Sequence, residues 1–234
     1  VVVGDVDIKK VKKQVKKYLK DWDTMLNVQT TIAPTKENVR YTQISVVDMP
    51  NAVQSNISLT SNVDLKQGDA DYHSVLIANK ILGGGFNSYL NMNLREEHGY
   101  TYGARSSVGT SRFGTARFTA SSQVRNAVTD SAVVETLKEI NRIKTETVSM
   151  EDLKNAKAKY VGDFVLALER PATIARYALN IKLNNLPEDF YTTYLKKINA
   201  VTTDDVKRVA NKYFTSEKAR VVVVGKGSDI IENL

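Results

Sequence analysis

The sequence predicts an α+β fold, a two-layer sandwich in which a mixed, mainly antiparallel sheet packs against a layer of helices. Three observations carry this reading. Strand-like segments cluster in the first half, helical periods fill the second, and one apolar strand, Arg220 to Val224, returns at the end. An apolar content of 42% over 234 residues is enough for a sizeable core.

Val1-Val2-Val3-Gly4-Asp5 reads as a strand, and the chain, opening inside it without methionine, is expected to be a piece of a longer protein. Ile8, Val11, Val15, Tyr18 and Leu19 then recur at helical spacing, which predicts an amphipathic helix from about Asp7 to Lys20. Seven lysines lie in residues 1–20 against Asp5 and Asp7, so +5 of the formal +7 is confined there. A solvated helix face accounts for that charge, and no nucleic-acid partner is expected. "DWDTMLNVQTTIAPTKEN", residues 21–38, has no sustained period, contains Pro34 and reads as a linker.

"VRYTQISVVDMP" and "AVQSNISLTSN" predict two strands joined at Met49-Pro50-Asn51, expected as antiparallel neighbours. Tyr72, Val75, Leu76, Asn79 and Leu82 predict a helix over 69–82. Gly83, Gly84 and Gly85 break it, since residues without Cβ lose the most entropy on ordering and take positive φ freely. A short helix from about Asn87 to His98 should end at Gly99, a residue suited to a left-handed terminus. Strands follow in "YTYGARSSVG" and "GTARFTASSQV", where alternation would put Tyr100 and Tyr102 on one face.

Val133, Leu137 and Ile140 form one helical stripe, and Leu153, Ala156, Tyr160, Phe164 and Leu168 form a second, opened by Ser149 with Asp152 at capping distance. Pro171 ends that helix at Arg170. Further helices fit 172–183, 188–198 and 203–213, the last begun by Thr202 with Asp205. The end echoes the beginning: "VVVGDVDIKKV" and "VVVGKGSDIIENL" place Gly4 and Gly225 221 residues apart, about one domain length.

Several chemistries drop out. No cysteine is present, which removes disulfides, thiolate ligands and thiol nucleophiles. The longest aliphatic run, Val221 to Val224, falls far short of the roughly 20 residues that span a bilayer, so a soluble chain is expected. His73 and His98 stand in no ligand-spaced motif, and no metal site is expected in this chain. Gly83 to Gly85 follows a helix and lacks a P-loop ending, so it makes a weak phosphate cradle. Arg95 and Tyr102 flank Gly99 at a helix-to-strand elbow and can reach one point, where a guanidinium and a phenol would suit a peptide carbonyl. Spacing alone fits an ordinary turn as well, with Arg95 on a nearby carboxylate and Tyr102 packed in the sheet.

"ANKILGGGFNSYLNMNLREEHGYTYGARSS" resembles the noncatalytic domain of the pitrilysin/insulinase family of zinc metallopeptidases, near the branch of mitochondrial processing peptidase and its small bacterial relatives. The resemblance covers essentially the whole chain. It implies that residues 1–20 close a preceding homologous domain, that 21–38 link, and that 39–234 form a zinc-free C-terminal domain. It makes Arg95 and Tyr102 catalytic and substrate-binding, holding a substrate carbonyl over zinc, and places Gly83, Gly84 and Gly85 where relatives have a substrate-binding glycine-rich loop, here short. Zinc would belong to the full-length protein's missing N-terminal half or to a homologous partner subunit, with an extended or unfolded peptide as substrate. The alternative implied is a catalytically inactive structural or substrate-presenting subunit. For compartment, the expectation leans to the periplasm over the cytoplasm.

Overall fold

The computed structural model describes residues 1–22 and 31–233. Helix α1 (Ile8–Tyr18) begins where the Asp7 carboxylate accepts from the backbone N–H of Lys9 at 2.7 Å and of Lys10 at 3.2 Å. Its apolar stripe lies open: Ile8, Val15 and Tyr18 are exposed and only Val11 is half-buried. The strand expected at Val1–Val3 is not formed, and those residues are exposed coil. A strand is stabilised by its ladder, and among the described residues no other segment pairs with them. Residues 31–38 carry no helix or strand, and residues 23–30 of the expected linker lie outside the described residues.

The sheet contains β1 (Gln43–Asp48), β2 (Gln54–Val63), β3 (Thr101–Val108), β4 (Ala116–Arg125) and β5 (Arg220–Gly225), in the order β1-β5-β2-β4-β3. β1 runs parallel to β5, and every other pairing is antiparallel. This corrects the expected β1–β2 neighbours. β5 separates them, pairing Val222 with Ser45 on one side and with Ser58 on the other. Its valines need cover, and Val221 and Val223 reach 1% and 0% exposure only in an interior position. β1, exposed along most of its length, takes the edge.

Along β2, Ser55, Ile57, Leu59, Ser61 and Val63 are buried while the alternate residues face outward. The helices form a layer on this side, with α2 (Tyr72–Leu82) and α4 (Thr129–Thr145) against the strands and α5 (Met150–Leu168), α6 (Pro171–Leu183), α7 (Tyr194–Ala200) and α8 (Thr203–Tyr213) packed on them and on one another. Phe118 of β4 and Phe214 after α8, both fully buried, stack with ring centroids 4.8 Å apart. The capping box expected at Thr202 and Asp205 is complete, and Ser149 Oγ accepts from Asp152 N–H at 3.0 Å. α7 starts at Tyr194, later than the predicted 188, because residues 187–193 form turns instead.

Asp71, at the start of α2, ties that helix to α8. Its carboxylate accepts from Arg208 at 2.6 Å, Lys212 at 2.8 Å and the Tyr213 hydroxyl at 2.9 Å. Burial pushes the carboxyl up, but the donors Lys212, Arg208 and Tyr213 outweigh it and hold the pKa down at about 2. The folded value lies below the unfolded 3.8, so the unfolded chain takes the proton first. The contribution is therefore complete above the unfolded value and is lost as pH falls through the folded one. Urea midpoints measured downward from about pH 5 should show an acid limb worth about 1–2 kcal/mol that Asp71→Asn flattens.

Candidate functional site

A cavity of about 480 Å³ opens where the end of α2, the glycine triplet and the edge strand β3 meet. Two asparagines build it. Asn79 accepts from Ser106 Oγ at 2.8 Å and donates to the Ser106 carbonyl at 3.3 Å, while Asn91 accepts from Ala104 N–H at 3.3 Å and donates to the Phe86 carbonyl at 2.7 Å. The Gly83 carbonyl accepts from Ser106 N–H at 3.0 Å. The edge of β3 is thus capped by the loop beside it, which removes the free ladder groups that would otherwise seek another strand.

The glycines are needed for a reason other than the expected positive φ. None of the three lies in that region; Gly83 has φ −159°. A Cβ on Gly83 would fall 2.8 Å from Ser106 Cβ, and one on Gly84 would fall 2.9 Å from Lys80 Cα. Gly85 is uncrowded, with nothing nearer than 3.9 Å. The triplet serves close approach of loop to strand.

Past Phe86, α3 (Tyr89–Asn91) runs into a π-helical segment, Met92–Glu97, in which His98 N–H reaches back to the Asn93 carbonyl at 3.0 Å. The predicted plain helix is corrected here. The wider turn buries Leu90, Leu94 and Asn93 while leaving Arg95 on the cavity. Asn93 Nδ2 locks the segment to α4, donating to Glu135 and Glu139 at 2.8 Å each. That hydrogen bond, against the opposing effect of burial, holds the Glu135 carboxyl below its ordinary range. Asn93→Ala would leave Glu139, with a side chain only 5% exposed, bonded to Arg142 alone. A loss of about 2 kcal/mol is expected, read as a lower urea midpoint.

Gly99 closes the elbow with φ +61°, and Tyr100 N–H reaches the Leu94 carbonyl at 2.8 Å. Tyr100 stacks on His98 at 4.9 Å, and His98 Nε2 lies 3.8 Å from Glu135. The expected shared face for Tyr100 and Tyr102 is not formed. Pairing with β4 slips between Thr101 and Ala104, and the Thr101 hydroxyl pins the slip by donating to the Gln123 carbonyl at 2.6 Å. Tyr102, inside this irregularity, is 90% exposed and does not pack in the sheet.

Arg95, Tyr102, Gly83, Gly84 and Gly85 all line the one cavity. The Arg95 guanidinium lies over the Phe86 ring at 4.7 Å, and its Nε pairs with Glu96 at 3.2 Å. Sequence reasoning missed Asn79, Phe86, Asn91, Arg105, Ser106 and Tyr160 as lining residues. One signal was present: Asn79 is an amide on an otherwise apolar helical stripe.

Zinc does not fit the described residues. Among the described residues no three His, Asp or Glu side chains converge to hold a metal. His73 is buried among Tyr72, Phe190 and Tyr194, and burial, helped by Lys197, pushes its pKa down to about 4.

A family model described as Peptidase M16 inactive domain matches residues 1–160. The chain belongs to the peptidase M16 family. Solved structures share its fold. A peptidase M16 inactive domain from Pseudomonas fluorescens is 22% identical, with TM-score 0.75 over 82% of this chain and 45% of that one. A protease from Helicobacter pylori is 20% identical, with TM-score 0.81 over 95% and 53%. A chain of Complex III2 from Candida albicans is 15% identical, with TM-score 0.65 over 82% and 48%. This M16 chain spans about half the length of each. No curated protein matches it in sequence. No helix among the described residues is long and apolar enough to cross a membrane.

Proposed function

We propose that this chain is the C-terminal, zinc-free half of a zinc metalloendopeptidase, and that it binds and positions an extended peptide for cleavage. One observation carries the reading: a guanidinium and an exposed phenol from two elements line a single open cavity with the glycine loop. The metal and the activation of water belong to a companion, either the protein's own N-terminal half or a homologous subunit. This chain's part is to supply donors. Arg95 and Tyr102 donate to a peptide carbonyl oxygen, and such bonds strengthen as negative charge develops there. Phe86 lies beneath the guanidinium, and Gly99 turns the elbow between the two residues.

The test uses the full-length protein with its companion half. Arg95→Ala removes a charged donor and is expected to lower kcat/KM for unstructured peptides by about 10–100-fold, with thermal stability unchanged. Unaltered turnover rejects the assignment. A second reading, a catalytically inactive substrate-presenting or structural subunit, is supported by the likeness to the Complex III2 chain. It predicts no peptide turnover in the full-length protein even with zinc supplied.

A further inference from the structure

The outward face of the sheet carries an uneven charge. Register places Arg105 opposite Ser121, Arg117 opposite Asn62, Arg125 opposite Gln54, and Arg220 opposite Thr60. Directly opposed residues share a face and alternate residues return to it, so these four arginines stand on one surface. All four are exposed. Between them on β2 and β4 lies a hydroxyl and amide floor, with Ser58, Thr119, Ser121 and Gln123 at its centre and the half-buried Val222 and Val224 of β5 beside it. None of the strand residues paired across this face is acidic. Among the described residues none of the four arginines forms an ion pair, whereas Arg95, Arg142 and Arg208 do. The segment bordering the Asn62 end adds Lys36 and Glu37, whose charges cancel.

Arg105 also lines the cavity that holds Arg95 and Tyr102, so the cationic surface and the cavity are continuous. Lone arginines held on a rigid sheet above neutral donors form a surface complementary to carboxylates along an extended chain. We infer that the outward sheet face and the adjoining cavity select extended peptides rich in glutamate and aspartate. This deepens the peptide-binding reading above and rests on it. Nucleic acid is the less suited polyanion, because none of the residues paired across the sheet face, where three of the four arginines stand clear of the cavity, is aromatic.

Binding to the full-length protein is measured by fluorescence anisotropy, with metal chelated so that nothing is cut. The probes are a labelled glutamate-rich peptide, its glutamine counterpart and its lysine counterpart. The glutamate peptide should bind about tenfold more tightly than the glutamine one at low salt, with the preference gone near 1 M salt. Arg117→Gln with Arg125→Gln, both outside the cavity lining, should cut that preference to about two- or threefold. Equal affinities for the glutamate and glutamine peptides overturn the inference, as does a preference intact in the double variant. Tighter binding of a single-stranded oligonucleotide than of the glutamate peptide also overturns it. The two readings fail separately: preferential binding without cleavage on restoring metal refutes the peptidase, while equal binding with cleavage refutes only the acidic selectivity.

Discussion

Tyr102→Phe in the full-length protein is expected to lower kcat by about 10²–10³-fold while leaving KM and folding nearly unchanged. The change deletes one hydroxyl and keeps the ring. Tyr102 is 90% exposed and lies in an irregularity of β3 held by Thr101 rather than by the tyrosine itself. Its phenol therefore contributes little to folding. Its worth would be realised only when a carbonyl oxygen in the cavity gains negative charge, which is the condition for a loss in kcat rather than in KM. A variant with full turnover would remove Tyr102 from the chemistry, and a variant with lowered thermal stability would mean that the hydroxyl has a structural partner.

The second large effect is on stability. Gly83→Ala adds a Cβ that would fall 2.6 Å from Ser106 Oγ and 2.8 Å from Ser106 Cβ, and nearer still to the Ser106 backbone nitrogen. That nitrogen donates to the Gly83 carbonyl, so strand and loop cannot separate without breaking the bond that caps the sheet edge. Overpacking of this kind costs about 1–3 kcal/mol, and loss of a buried backbone bond adds about 1 kcal/mol. A fall of about 3 kcal/mol in unfolding free energy is expected from urea titration. Gly85→Ala, with open space around it, is the control and should change stability by less than about 1 kcal/mol.

The site was legible in part. Arg95 and Tyr102 stood out as a donor pair around Gly99, a local pattern readable within about ten residues that fits an ordinary turn as well, and the family resemblance added the substrate role and the glycine triplet. Asn91 and Ser106 gave no such signal. Their part in the cavity depends on where the edge of β3 passes the loop, and short polar residues look alike on a strand and in a turn. The π-helical segment was also hidden. A run such as Met92–Glu97 has ordinary helical composition, and its wider turn follows from Asn93 reaching Glu135 and Glu139 on another helix. Arg105 and its fellow arginines read singly as surface charges until strand pairing brought them onto one face.

By itself the sequence determined the α+β class, the positions of the later helices apart from the start of α7, and the stops at Gly83, Gly99 and Pro171, because periodicity, capping and backbone freedom act over a few residues. Only the tertiary structure decided the strand order, the irregularity that exposes Tyr102, and the shared cavity. β5 enters between β1 and β2 from more than 150 residues away, and which edge it takes depends on how much apolar surface each place would bury, a sum over the whole sheet that no local pattern contains.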